Sequence, residues 1–486
     1  MNFISTRGVS EKVSSSVAII KGIADDGGLF VPEYFPKIFE NFKGRTNLPY
    51  EQLAFEIIKE FFDDIQEEDL KEAIDNAYKN RFDVIERGYF LELYHGPTSA
   101  FKDAALLFLP QIMKKAKKTL AIDDEIVILT ATSGDTGKAA LEGFHDIDGF
   151  KCVVYYPKDG VSVIQERQML TQKGNNINVL GIDGNFDDAQ RGVKEIFADE
   201  NLKKELKKKG MMLSSANSIN IGRLIPQIVY YFYGYFKLVN KQKIKFGEKI
   251  NVSVPTGNFG NILASYYAKQ MGLPIDKFIC ASNENNVLTD FFNTGIYDRR
   301  RDLYLTESPS MDILVSSNLE RLIFEAVERD CNEVRELMKK LSEDGVYVIS
   351  EKAKDFIKDF YGNYADTNEV LNDIDRLYHE EKYLMDTHTA VAHTVLSKYR
   401  RNNKDYKSAL IISTASPYKF PRSICNSLGI KIDNLSDFKV LEVLNNYTKI
   451  AIPENLRNLE TEPIRYNKTC SKNNMKDELL NYLYAK

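Results

Sequence analysis

The chain predicts an α/β protein with parallel sheets covered on both faces, and three observations predict it. Compact apolar runs of strand length recur at residues 125–130, 151–156, 178–182, 249–254, 278–281 and 409–412. Most are continuously apolar, the pattern of a strand buried on both sides. Helical stretches separate them, the rhythm of βαβ units. Glycine-rich turns close several of the runs, at the junctions where α/β proteins bind ligands.

The elements follow in order. Residues 1 to about 88 read as a separate piece. Gly27-Gly-Leu-Phe-Val-Pro32 is a turn into a short extended segment. Residues 48–79 carry Phe55, Ile58, Phe61, Phe62, Ile65, Leu70, Ala73 and Ile74 at helical spacing among charges, which predicts two amphipathic helices. Residues 89–486 form the α/β region. Its most apolar long run, 224–239, contains Pro226, Gln227, Gly234 and Lys237. It is too short and too polar to span a bilayer, so a buried aromatic-rich helix is expected. Residues 312–386 are dense in charge with helical spacing and read as a mostly helical insertion. Residues 455–486 read as a polar helical tail.

Composition narrows the function. The 486 residues carry 65 Lys and Arg against 70 Asp and Glu, a net charge of −5. That mild acidity argues against a nucleic-acid partner. The five cysteines include no Cys-x-x-Cys pair, so reduced thiols are expected, with neither a disulfide framework nor a zinc site. His388 and His393 are five apart and do not make an i, i+4 metal pair, so no metal is expected. No apolar signal segment follows Met1, and a cytoplasmic protein without a membrane partner is the expectation. Neither a nucleophile elbow nor a phosphate loop ending in Gly-Lys-Ser/Thr occurs.

Five segments carry candidate chemistry. Gly257-Asn-Phe-Gly-Asn261 joins a strand to a helix, where converging N–H groups and the helix dipole suit an anion. Taken alone it is an ordinary βα turn. Thr132-Ser-Gly-Asp-Thr-Gly137 follows another strand; its hydroxyls suit a carboxylate, though taken alone the turn reads first as a helix cap. Asn217-Ser-Ile-Asn-Ile-Gly-Arg223 is a helix start or a second anion site with Arg223 as the charged donor. Thr414 ends a strand before Pro417, where a hydroxyl can meet a ring nitrogen. Lys102 stands in His95-Gly-Pro-Thr-Ser-Ala-Phe-Lys-Asp103. A pyridoxal phosphate (PLP) site requires an amine, a phosphate cradle and a partner for the pyridine nitrogen. The chain offers one candidate for each.

The same segments resemble those of threonine synthases. Asn185-Phe-Asp-Asp-Ala-Gln190, Ser308-Pro-Ser-Met-Asp312, Asp386-Thr-His-Thr-Ala-Val391 and Thr414-Ala-Ser-Pro-Tyr-Lys-Phe420 recur in the family's order, and the opening Gly27-Gly-Leu-Phe-Val-Pro32 resembles its N-terminal domain. The resemblance covers essentially the whole chain. It implies a fold type II PLP enzyme: two open, twisted, mostly parallel sheets flanked by helices, with an N-terminal helical extension and a helical insertion. It also implies residues 1–88 as the N-terminal domain and 89–486 as the catalytic region.

Carried over residue by residue, Lys102 would hold PLP. Gly257, Asn258, Phe259, Gly260 and Asn261 would bind the cofactor phosphate, mainly through backbone. Thr414 would face the pyridine nitrogen. Ser133, Gly134, Asp135 and Thr136 would form the substrate-carboxylate turn, and Asn217, Ser218 and Arg223 would hold the substrate phosphate. The implied reaction takes O-phospho-L-homoserine and water to L-threonine and phosphate, in a monomer or homodimer. Two positions depart from the family pattern. Ile221 stands where many relatives carry an aromatic or Pro, and Asn261 where many carry Asp. The alternatives are another fold type II enzyme, such as a threonine dehydratase or cysteine synthase, and a catalytically silent relative. A second anion site separates the first alternative from the main reading.

Overall fold

The computed structural model describes residues 1–8 and 11–485. Two sheets organise the chain. The first runs Phe360–Tyr364, Ile275–Ser282, Ile250–Pro255, Ala409–Ser413, Phe90–His95 and Asp83–Arg87. All its neighbours pair in parallel except the last two, which form an antiparallel hairpin. The second runs Thr469–Ser471, Ile177–Asp183, Phe150–Pro157, Glu125–Ala131 and Met211–Ser215, all parallel. All six expected strands are present.

The alternation of side chains along each central strand explains the two-sided burial. Leu410 and Ile412 enter the largest core with the helix Ile221–Asn240, whereas Ala409 and Ile411 pack with the helix Thr387–Asn403 on the opposite face. The second sheet repeats this. Ile126 and Ile128 face the large core, and Val127 and Leu129 face a smaller one with Ala189, Val193 and Leu479. Burying each such aliphatic side chain stabilises the fold by roughly 1.5–3 kcal/mol. The aromatic run 224–239 is a buried helix as expected, and no helix among the described residues is long and apolar enough to cross a membrane.

The organisation holds three features that the sequence pattern does not announce. The boundary at 88 falls in the turn of the hairpin Asp83–Arg87/Phe90–His95, so the large sheet begins before it. The N-terminal segment also shares its core with the rest. Phe42 packs on Phe232 and Phe236, and the Tyr78 hydroxyl donates to the Ala104 carbonyl at 2.7 Å, two residues past Lys102. The segment 312–386 is helical at Leu319–Ala326, Cys331–Glu343, Glu351–Ile357 and Thr367–Glu381, yet it supplies the edge strand Phe360–Tyr364. The tail likewise supplies the edge strand Thr469–Ser471 before its helix Met475–Tyr484. Short edge strands of mixed polarity carry little periodic signal, which is why both escaped the pattern.

Parallel topology decides where the candidate segments meet. Residues 96–102, 257–261 and 414–419 follow three strands of the first sheet, and 132–137 and 217–223 follow two strands of the second. All five therefore lie at carboxyl ends of strands. The helix Asp135–Phe144 packs hard against the segment after Lys102: a Cβ on Gly143 would lie 2.0 Å from the Leu106 carbonyl oxygen. Gly143→Ala is expected to destabilise the fold by about 1–3 kcal/mol through overpacking, measured by urea unfolding. An unchanged midpoint would show that the two helices separate freely.

Candidate active site

Lys102 is set by its own loop. Ser99 adopts a left-handed φ of 58°, bending the chain just before the short helix Asp103–Leu106. Six hydrogen bonds hold that bend. The Thr98 N–H and hydroxyl donate to the Asp103 carboxyl at 2.9 and 2.7 Å. The Phe101 N–H donates to the Thr414 carbonyl at 2.8 Å, and the Ser416 N–H to the Ser99 carbonyl at 3.1 Å. Asn455 accepts from the Ser99 hydroxyl at 2.9 Å and donates to the Pro97 carbonyl at 2.6 Å. The Lys102 segment and the Thr414 turn are thus one stitched unit. Burial pushes the Asp103 carboxyl up to about 7 against the Thr98 hydrogen bonds.

The lysine's surroundings are strongly charged. Its side chain is 11% exposed, with Nζ 3.7 Å from Asp135 Oδ2. Burial pulls its pKa down to about 8; Asp135 opposes this, and Arg223 and Lys419 reinforce it. Burial also works against the Asp135 carboxylate, but Lys419, Lys102 and Gln165 outweigh it and hold the group well below the usual carboxylate range. Lys419 Nζ lies 2.9 Å from Asp135 Oδ1, and Gln165 donates to the same oxygen at 2.9 Å. Arg223 is buried, donates to the Ala216 carbonyl at 2.9 Å, and keeps an Nε with no partner among the described residues.

The two glycine-rich turns differ in construction. In 132–137 the Thr132 hydroxyl accepts from the N–H groups of Gly134 and Gly137 at 3.0 and 2.8 Å, rounding the turn. Gly134 has φ 130°, and a Cβ there would meet the Gln165 amide at 2.5 Å. Ser133 and Thr136 stand half-buried beside it. In 257–261, Phe259 holds a left-handed φ of 65° before the helix Gly260–Gln270. Among the described residues no backbone N–H of Gly257, Asn258, Phe259 or Gly260 has a partner. A roof covers this turn. Ser316 donates to the Gly257 carbonyl at 2.6 Å, Asn318 to the Asn258 carbonyl at 3.0 Å, and a Cβ on Gly257 would lie 2.7 Å from the Ser310 carbonyl. The Ser310 N–H donates to His388 Nε2 at 3.2 Å, and His388 Nδ1 lies 3.0 Å from Asp386.

The candidate residues therefore divide. Lys102, Asp135 and Arg223 lie within one another's electrostatic reach, and Thr414 is tied to the lysine's loop. Two side chains turn elsewhere. Phe259 packs on Phe292 and Phe360, and Asn261 Oδ1 accepts from the Tyr230 and Tyr231 hydroxyls, while Asn261 Nδ2 has no partner among the described residues. Asn217 and Ser218 are half-buried, and the cap of the following helix is Asn220, which accepts from the Gly222 N–H. Ile221 is fully buried in the large core. Sequence reasoning assigned nothing to Lys419, Gln165, Gln168 or Asn455. Only Lys419 carried a signal, as a lysine among apolar residues after Pro417.

These residues fit PLP. They supply a buried amine of lowered pKa, a closed cradle of unpartnered N–H groups, and a Thr414 hydroxyl without a hydrogen-bond partner among the described residues. Such a lysine between the carboxyl ends of parallel sheets defines a fold type II PLP-dependent enzyme. Comparison with known proteins agrees. Residues 86–414 match the model for the pyridoxal-phosphate dependent enzymes, and residues 2–78 that for the threonine synthase N terminus. Threonine synthase from Eremothecium gossypii is 36% identical, over 87% of this chain and 89% of that protein. Threonine synthase-like 1 from Homo sapiens is 39% identical over 92% of this chain, which spans 63% of that protein's length. The PLP-bound threonine synthase structure from Brucella melitensis superposes with a TM-score of 0.87 at 32% identity, covering 100% of each chain. The chain belongs to the threonine synthase family.

The raised Asp103 carboxyl has a consequence for stability. Its folded pKa of about 7 lies above the ordinary unfolded value of about 3.9. The folded state thus holds the proton more tightly, and stability falls as pH rises between those values. Asp103→Asn removes this term. The variant should gain stability relative to wild type between pH 5 and pH 8, measured by urea unfolding at each. A difference independent of pH would show that Asp103 is ionised throughout.

Proposed function

We propose that the chain converts O-phospho-L-homoserine and water to L-threonine and phosphate, with Lys102 as the lysine that carries PLP. One observation supports this over a dehydratase or cysteine synthase: Arg223, a buried cation in the first turn of the helix Ile221–Asn240, which follows a strand of the sheet opposite the Gly257 cradle, with an unpartnered Nε. An enzyme that releases no phosphate from its substrate has little use for it. In this reading the N–H groups of Gly257, Asn258, Phe259, Gly260 and Asn261 receive the cofactor phosphate. Asn217, Ser218 and Arg223 receive the substrate phosphate. Ser133, Thr136 and the Gly134 N–H receive the substrate carboxylate. Asp135 holds the lysine rather than the substrate, since its charge is shared by two ammonium groups.

PLP, when bound, withdraws electrons from the substrate's Cα and so acidifies the protons on Cα and Cβ. Lys102, released by the substrate amine, takes the Cα proton and then a Cβ proton, and its lowered pKa suits that work near neutral pH. Arg223 holds the phosphate as the Cγ–O bond breaks and charge grows on the leaving oxygen. In this reading the Thr414 hydroxyl would be the neutral partner of the pyridine nitrogen, a partner that would leave that nitrogen largely unprotonated. Water then supplies the hydroxyl at Cβ and gives its other proton to the departing phosphate, while the two protons that Lys102 took return to Cγ and Cα, which leaves threonine.

The deciding measurement is phosphate release from O-phosphohomoserine with threonine identified as the co-product; phosphate without threonine would sink the reading. Lys102→Ala should abolish turnover in a folded chain. Arg223→Ala should raise KM and lower kcat together, a loss of roughly 2–5 kcal/mol in kcat/KM, with PLP binding intact. Arg223→Lys should restore only part, because an ammonium lacks the guanidinium fork. Loss of PLP with substrate affinity kept would mean that the two anion sites are exchanged.

A further inference from the structure

The reaction as described uses one lysine, yet a second lies against the same carboxylate. Lys419 ends the short turn Pro417–Lys419 and is 0% exposed. Its ammonium sits 2.9 Å from Asp135 Oδ1, while that of Lys102 sits 3.7 Å from Oδ2. Its other contacts are the Thr98 carbonyl at 3.3 Å and Gln168 Oε1. Enclosed in this way, Lys419 meets the site through Asp135, Gln168 and the Thr98 carbonyl.

We propose that Lys419 is a positioning residue that raises the neutral, reactive share of the Lys102 amine, both by taking up the charge of Asp135 and by like-charge repulsion. The proposal rests on Lys102 being the PLP lysine. The argument is one of shared charge. A carboxylate paired with a single buried lysine favours the protonated ammonium. Here one oxygen is already bonded to Lys419 and Gln165, so its pull on Lys102 is divided. Lys419 adds like-charge repulsion, as does Arg223 from the helix Ile221–Asn240. Lys138, one turn beyond Asp135, feels Lys419 in turn, but it pairs with Glu142 at 3.3 Å. Asp103, beside Lys102 in the chain, is directed at Thr98. Among these groups Asp135 alone favours the protonated lysine, and Lys419 is the cation bonded directly to it.

The test follows PLP capture by the full-length chain after its cofactor is stripped and PLP is resupplied. Capture is read as growth of the absorbance band at about 410–420 nm against pH. The neutral amine is the nucleophile, so the rate rises through the Lys102 pKa, with a wild-type midpoint near 8. Lys419→Gln keeps hydrogen bonds to Thr98 and Gln168 but removes the charge. Its midpoint should rise by roughly one unit, slowing capture about tenfold at pH 7. Lys419→Arg should keep the wild-type midpoint. A folded Lys419→Gln with an unchanged midpoint overturns the proposal and leaves Lys419 a packing residue. Should that variant fail to fold, Lys419→Met with Asp135→Asn removes both buried charges together, a change such pairs often tolerate. Its midpoint should exceed that of Asp135→Asn alone, and equality overturns the proposal. Borohydride reduction and peptide mapping report whether PLP sits on Lys102, so failure of that assignment is seen separately. No substrate is needed, so the outcome is also independent of threonine formation.

Discussion

One buried carboxylate holds the two halves of this molecule in register. Asp135 opens the helix after a strand of the five-stranded sheet, whereas Lys102 and Lys419 follow strands of the six-stranded sheet. Their contacts cross the crevice between the carboxyl ends of both sheets. Buried charges are costly to desolvate, and a carboxylate flanked by two ammonium groups and an amide recovers that cost only when all partners stay in place. The arrangement therefore ties the geometry of the site to the packing of the fold. The turn 132–137, the lysine loop and the turn at Thr414 cannot shift independently without exposing one of these charges.

Around that centre the chain spends many residues on holding backbone. The lysine loop is pinned by Thr98 and Asp103 from within, by residues 414–416 from the neighbouring strand end, and by Asn455 from the C-terminal region. Arg167 fixes that region in turn, donating to the carbonyls of Leu459, Glu460 and Glu462 at 3.0, 2.6 and 2.9 Å. The turn at Gly257 is roofed by residues 310–318, and His388 carries the hydrogen bond of Ser310 because Asp386 orients its ring. Preorganised donors of this kind serve catalysis because they need not reorganise as charge moves. The N-terminal segment takes part through Tyr78, which bonds the backbone immediately after Lys102.

Much of this was legible in the chain before folding was considered. Strand periodicity located six of the seven interior strands, all but Phe90–His95, because burial on both faces demands continuous apolar residues. Glycines marked both turns for a steric reason the structure makes explicit: a side chain at Gly134 or Gly257 would collide with Gln165 or Ser310. Lys102, Arg223 and Thr414 were readable as candidate chemistry at strand ends and helix starts. The edge strands Phe360–Tyr364 and Thr469–Ser471 were not, since half-exposed strands of three to five residues carry too little pattern to stand out from helices and loops.

What the sequence by itself determined is local: which runs are strands, which turns need glycine, and which side chains can carry an amine, a hydroxyl or a guanidinium. The tertiary structure decided how those groups are used. Asn261 read as part of the cradle, and the fold decided that its side-chain oxygen accepts from two tyrosines of the helix Ile221–Asn240. Asp135 read as part of a substrate turn, and the fold sets two lysines against its carboxylate. Lys419 had no reading at all, because its role depends on a carboxylate 284 positions away in the chain. Spacing along a sequence reports period and propensity, which act over a few residues. Charge pairing acts through space, so the proton affinity of Lys102 was settled only when folding brought its partners to within 4 Å of one carboxylate.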